Sequence, residues 1–244
     1  MAVDHNRPLE KSRPAAEDVA AQAMFVGFAS FGIGTAVFFY FHPRLDLAVA
    51  NFLHVSGRSF IGSDSIYFQV ARRTFSSMFY IICGLTAVGC IATLRTRARW
   101  LTLSSRGWLY LAACLLVGPL TIANLGFKDH WGRPRPINVI EFGGDKVYEP
   151  PLTPSHQCDR NCSFISGEAS SIYILCFAAA LLFPGATGLW IASGIVLGSL
   201  AGFVRMAEGG HFLSDVLFAG VFMALTASTI DRLFAAVARD PRYD

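Results

Sequence analysis

Residues 108–136 read WLYLAACLLVGPLTIANLGF and then, without a break, KDHWGRPRP. The apolar portion has the length and character of a helix that crosses a bilayer, which takes about 20 mostly apolar residues. The polar portion ends that helix in a cluster of fixed cations, Lys128, Arg133 and Arg135. One segment therefore sets both the fold class and the level in the membrane at which charged chemistry is to be expected.

Five other stretches approach the same length: 24–41, 75–94, 167–183, 188–204 and 212–230. The fourth and fifth segments in chain order are the shortest, and Pro184-Gly185-Ala186-Thr187 between them is a strong turn signal, so they read as a helical hairpin. Over the whole 244 residues, 53% are hydrophobic and only 15% charged, which a soluble domain of this size rarely matches. Twenty-one Phe and seven Tyr suit lipid-facing and interfacial positions. The expected fold is all-α, a six-helix membrane bundle over 24–232, with polar tails at 1–23 and 233–244. The first tail has no short apolar core with a small-residue cleavage site, so the first helix is expected to be retained. A net charge of +3, without a basic run interleaved with aromatics, excludes nucleic acid as a partner, and no protein partner is expected.

Arginines set the orientation. The 95–106 connection carries four Arg and no acid, and Arg232, Arg239 and Arg242 lie at the end of the chain. Placing both on the cytoplasmic side puts the 128–165 and 205–210 loops outside. That is the periplasmic face of a bacterial inner membrane. The outward loop 43–74 reads either as an amphipathic surface helix touching headgroups or as a short packed lid helix. The 137–163 loop is long and rich in Gly and Pro, as functional loops often are.

Cys83, Cys90, Cys114 and Cys176 fall inside apolar segments, where they pack as small hydrophobes. Cys158 and Cys162 lie in the outward loop, where an oxidising compartment favours a disulfide. A metal site with His156 is the rival, and the Cys-x3-Cys spacing is unusual for one.

Three separated pieces supply groups suited to a phosphate ester. Lys128, Arg135 and Arg205 offer cationic donors, with Arg133 as a further candidate that would otherwise pack the Trp131-Gly132 turn. Ser166 and Gly167 open a hydrophobic helix whose unpaired N–H groups and positive dipole end favour an anion. His211 and Asp215 stand four apart in a predicted helix, hence on one face, as a nucleophile beside its orienting carboxylate.

The spacings Lys-x6-Arg-Pro (Lys128 to Pro136), Ser166-Gly167 at a helix start, and Arg-x5-His-x3-Asp (Arg205, His211, Asp215) resemble the three-motif signature of the type 2 phosphatidic acid phosphatase (PAP2) superfamily. The middle motif departs from the pattern: where the family usually has Pro-Ser-Gly-His, this chain has Ile165-Ser166-Gly167-Glu168, and Val204 replaces the common Ser before Arg205. The resemblance implies a lipid phosphatase that needs no metal or other cofactor and works through a phosphohistidine on His211. It assigns proton donation to the position of Glu168, with His130 as an alternative acid. Within the family, the chain is most similar to bacterial lipid A phosphatases acting on the 1- or 4'-phosphate. Phosphatidylglycerophosphate phosphatases, undecaprenyl pyrophosphate phosphatases and a silent phosphate-lipid binder are the alternatives.

Overall fold

A computed structural model of the chain describes residues 15–55, 59–96 and 98–238. Seven helices organise them: α1 (Ala15–Phe41), α2 (Leu45–Leu53), α3 (Ile66–Thr96), α4 (Ser105–Leu115), α5 (Gly167–Leu182), α6 (Thr187–Ala207) and α7 (Leu213–Ala238). Helix α4 continues without a break as a π-helical stretch, Leu116–Lys128. Among the described residues there is no strand, only isolated bridges. Five helical segments are long and apolar enough to cross a membrane, and α5, at 16 residues, is a shorter apolar helix.

Position in the bundle follows from composition. Helix α5 is apolar all round and buried on almost every face, as a helix surrounded by others must be. Helix α7 is the other central element, with 72% of its most apolar 18 residues buried, against 17% for α3. Helix α3 instead turns Tyr67, Tyr80, Ile81 and Ile91 outward, and α1 does the same with Phe38, Tyr40 and Phe41. Small residues on α6 bring its backbone close to its neighbours: a Cβ on Gly198 would meet the Tyr173 ring at 2.4 Å, and one on Gly202 would meet Val216 at 2.2 Å. Close backbone approach of this kind drives association where lipid offers no hydrophobic gain.

Several helices extend beyond the apolar stretches. Helix α1 begins at Ala15 rather than 24, because the run AAEDVAAQA over 15–23 consists of mostly good helix formers that can stand beyond the hydrocarbon. The expected tail therefore shrinks to residues that, up to 14, lie outside the described ones. Likewise α7 runs on to Ala238. Helix α3 begins at Ile66 rather than 75, which puts Gln69, Arg72 and Arg73 on a helical extension above the apolar segment.

The bundle has two ends. Arg106 Nη2 donates to the Phe234 carbonyl and the Arg232 guanidinium lies over Phe25, so the start of α4, the end of α7 and the start of α1 share one end. At the other end the Gly62 N–H donates to the Ala207 carbonyl, Ile137 N–H to Gly209, and Tyr148 O–H to Pro43. Helix α2 belongs there. It is a packed helix rather than one lying on the surface: Asp46, Ala50 and Leu53 are buried, while Phe52 stays exposed.

Candidate active site

The three signature pieces meet at this second end. Lys128 closes the π-helical stretch, Arg205 sits in the last turn of α6 and both are buried. A cation at a helix C-terminus is favoured by the helix dipole. Gly167 begins α5 directly against Lys128, and a Cβ there would fall 2.7 Å from Lys128 Nζ and 3.1 Å from Asn124 Oδ1. Glycine at 167 therefore makes room for the ammonium. Gly167→Ala is expected to displace that flexible tip without unfolding the chain. It should raise KM roughly tenfold with little change in thermal stability, the cost of one misplaced charged contact. Ser166, fully buried, uses its hydroxyl to accept from Ala169 N–H and cap its own helix.

Glu168 stands in the middle of the cations. Its carboxylate lies 3.0 Å from Arg205 Nε, 3.4 Å from Arg72 Nη2, 3.7 Å from His211 Nε2 and 3.9 Å from Lys128 Nζ. Glu208 pairs with Arg205 Nη1 and, at 3.6 Å, with Arg72 Nη1. Arg135 holds its fork on one acceptor, donating from Nε and Nη2 to the Asn161 carbonyl at 3.1 and 2.8 Å. Burial, and next the neighbouring Arg205, lowers its guanidinium below the ordinary value. Cations crowded to the point of mutual destabilisation make a site for an anion.

His211 is fully buried just ahead of α7, not within it. Its Nδ1 lies 2.7 Å from the Ser163 carbonyl, which can only accept, so Nδ1 carries a proton and Nε2 is the nitrogen whose lone pair the neutral imidazole offers. Nε2 has no hydrogen-bond partner and faces the Glu168 carboxylate. Asp215 is not the direct orienter that its spacing suggests. Its nearest oxygen is 3.7 Å from Nδ1, beyond hydrogen-bond reach. Instead it accepts from Phe212 N–H at 2.8 Å, from the Ser163 hydroxyl and from Arg133 Nη1 at 2.5 Å. It thus fixes both segments that position the imidazole.

Arg133 departs from the expectation of a phosphate ligand. It has no exposed surface, and each of its nitrogens is engaged by the protein: Nε donates to the Glu149 carbonyl, Nη1 to Ser214 and Asp215, Nη2 to Asp46. Phe212 stacks on its guanidinium at 4.4 Å. Burial works against its charge, yet Asp215 and Asp46 hold the guanidinium above its ordinary value. Burial in turn raises the Asp46 carboxyl against the pull of Arg133. Arg133 is the keystone behind His211. His130, the alternative acid, is exposed and turned back onto its own helix, with Nδ1 2.9 Å from the Leu125 carbonyl.

Cys158 and Cys162 form a disulfide, which removes them from any metal site with His156. Among the described residues no three His, Cys, Asp or Glu side chains are grouped to hold a metal ion. The bridge staples the loop that carries Asn161, the acceptor for Arg135, and Cys162 N–H donates to the Lys128 carbonyl at 2.9 Å. Reduction is therefore expected to lower both thermal stability, by about 2 kcal/mol for so small a loop, and phosphate affinity. The Cys158→Ser/Cys162→Ser variant, insensitive to reductant, checks the cause.

Sequence reasoning missed Asp46, Ser163, Arg72 and Glu208. Asp46 and Arg72 lie far from the signature on α2 and on the extension of α3, and Ser163 acts through its backbone carbonyl, which no side-chain pattern reports. Glu208 was legible in principle, three residues after Arg205 at the spacing of helical neighbours.

From the cation cluster a groove of about 710 Å³ descends between α3, the α4 segment and α5. Arg72, Lys128 and Glu168 line its upper end, and Phe75, Phe79, Leu115 and Leu120 its lower end.

Comparison with known proteins gives the family and several relatives. The chain is 34% identical over 212 residues, 85% of its length and 92% of the relative's, to the lipid A 4'-phosphatase of Francisella tularensis subsp. novicida (strain U112). It is 29% identical over 217 residues, 86% of its length and 83% of the relative's, to the lipid A 4'-phosphatase of Rhizobium etli. A shorter match, 38% over 121 residues, covers 47% of the chain and 52% of the lipid A 4'-phosphatase of Rhizobium leguminosarum. No solved structure matches. Residues 107–237, which hold every piece of the cation cluster except Arg72, match the PAP2 superfamily. The chain belongs to that superfamily, as a multi-pass membrane phosphatase.

Proposed function

We propose that the protein removes a phosphate monoester from lipid A, at the 4' position, through a phosphohistidine on His211 and without a metal ion. The observation that carries the chemistry is the state of His211: Nδ1 pinned to the Ser163 carbonyl, Nε2 buried, unpartnered and aimed into the cluster of Lys128, Arg205 and Glu168. The names of the relatives support the choice of lipid, and the apolar groove running from the site supports a substrate with acyl chains.

The phosphate takes the place of the Glu168 carboxylate among Lys128, Arg205 and Arg135, held by charge-assisted hydrogen bonds. His211 Nε2 attacks phosphorus, the sugar oxygen leaves, and the developing imidazolium is stabilised by the Ser163 carbonyl and, at longer range, by Asp215. Glu168 gives its proton to the leaving oxygen; the dianion arriving beside it places like charge there, which favours the protonated carboxyl beforehand. Water then attacks the phosphohistidine, with Glu168 accepting its proton, and inorganic phosphate is released. The site faces the periplasm, with the arginine-rich 95–106 connection and both termini in the cytoplasm.

Mass spectrometry of lipids after incubation of the detergent-purified protein, in EDTA, tests this against lipid A, phosphatidylglycerophosphate and undecaprenyl pyrophosphate in parallel. The expected result is loss of one phosphate from lipid A alone, with fragments placing it at the 4' position. Turnover of another lipid instead would refute the substrate, dependence on an added divalent metal would refute the metal-free step, and binding without turnover of any would indicate a silent phosphate-lipid binder.

A further inference from the structure

Four side chains at the mouth of the site close a ring of alternating charge. Arg72 Nη2 meets Glu168 at 3.4 Å, Glu168 meets Arg205 Nε at 3.0 Å, Arg205 Nη1 pairs with Glu208, and Glu208 returns to Arg72 Nη1 at 3.6 Å. Three members belong to the signature segments or lie beside them. Arg72 comes from the extension of α3, outside the residues matched to the family.

The members differ in freedom. The side chains of Arg205 and Glu208 are 6% and 9% exposed, whereas Arg72 is 46% exposed and stands where the groove begins. The ring also has a charge surplus around it. Among the described residues Arg72, Lys128 and Arg205 pair only with Glu168 and Glu208, and with Arg135 beside them the four cations outnumber those two carboxylates by two, the charge of a phosphate monoester dianion. The dianion must take over Arg205 and Lys128 from Glu168, since no other buried cations point into the site among the described residues. A carboxyl released beside a dianion is repelled from it, and without a counter-ion it would swing away from the leaving group.

We propose that Arg72 is the positioning residue for Glu168: it keeps the carboxyl at the site when phosphate displaces it from Arg205 and Lys128. The inference rests on the role given to Glu168 above. The exposed guanidinium follows the carboxyl while Glu208 tethers the other face of Arg72 to Arg205. The exposed cation also offsets part of the like charge of the phosphate, which keeps the carboxyl within reach of the sugar oxygen and then of the attacking water. The charged groups that face Glu168 from every side are Arg72 of α3, Lys128 of the π-helical stretch, Arg205 and Glu208 at the end of α6, His211 ahead of α7 and Arg135 of the connecting loop. Of the cations among these, Arg72 is given no contact with the phosphate, and its side chain, 46% exposed, is far freer than those of Lys128 and Arg205.

The test measures phosphate release from lipid A in detergent micelles over a range of pH for wild type, Arg72→Gln, Arg72→Lys, Glu168→Gln and Arg72→Gln/Glu168→Gln. The expected result for Arg72→Gln is a fall of about tenfold in kcat with KM changed far less. Removing a cation beside Glu168 favours its protonated form, so the basic limb of the rate profile should move up by on the order of one pH unit. Arg72→Lys should recover most of both effects, and Arg72→Gln should cost little more once Glu168 is already Gln. Equal losses from Arg72→Gln in the two backgrounds, an unmoved basic limb, or a rise in KM with kcat intact would overturn the inference. A Glu168→Gln variant with an unchanged rate and profile would overturn the acid–base role of Glu168 itself, and would be visible before any Arg72 variant is made.

Discussion

Replacing His211 with alanine is expected to remove turnover by roughly four orders of magnitude or more, with the fold kept. The magnitude follows from the proposed chemistry: without Nε2 the phosphohistidine cannot form, and on that proposal the cation cluster alone binds phosphate without breaking the ester. Retention of the fold follows from the local structure. The substitution loses one hydrogen bond to the Ser163 carbonyl, worth about 1 kcal/mol, while Asp215 still ties Phe212, Ser163 and Arg133 together. Thermal unfolding of the purified variant beside its phosphate-release rate separates the two effects. Appreciable residual turnover in a folded variant would remove His211 from the role of nucleophile.

The largest effect on stability is expected from Arg133→Met. This guanidinium lies between Asp46 and Asp215, with side chains of no exposed surface on either side. Taking away the cation leaves two buried carboxylates, and breaking a buried pair costs about 3–5 kcal/mol. Arg133→Lys should recover only a fraction of this, because an ammonium cannot present the fork that reaches Glu149, Ser214, Asp215 and Asp46 at once. The measurement is the thermal midpoint in detergent, with Asp46→Asn as the companion that lightens the charge load on the same network. An Arg133→Met protein of unchanged stability but weakened phosphate affinity would make Arg133 a phosphate ligand after all.

The sequence carried the architecture because membrane spans are written as length and apolarity. Segments 108–127 and 188–204 lie within helical stretches that match them closely, 212–230 starts one residue ahead of α7, and the Pro184-Gly185 turn is where the chain reverses. What it could not show is where a helix continues past the hydrocarbon, as α3 does from Ile66, because polar residues extend a helix without extending its apolar signature. Arg72 was lost in that way. For the site, Lys128, Arg135, Arg205 and His211 were read from spacing and Glu168 from its place in the resembled middle motif, and the structure brings all five to one place. The errors came from treating spacing as contact. Asp215 stands four after His211, but the helix begins between them, so the i, i+4 rule does not apply and the Ser163 carbonyl takes the imidazole proton instead. Arg133 lies among motif cations yet points the other way, because the Gly132 turn, at φ +72°, reverses the chain beneath Ser155 and sends Arg133 into the core.

The covalent step is open to direct measurement by mixing wild-type protein with lipid A, quenching in alkali within the first turnover, and mapping phosphoryl groups on the peptides by mass spectrometry. One phosphoryl group is expected on the peptide that contains His211, absent from His211→Ala and longer-lived in Glu168→Gln. A turnover that leaves no phosphoryl group on the protein at any quench time, or leaves it on another residue, would contradict the account.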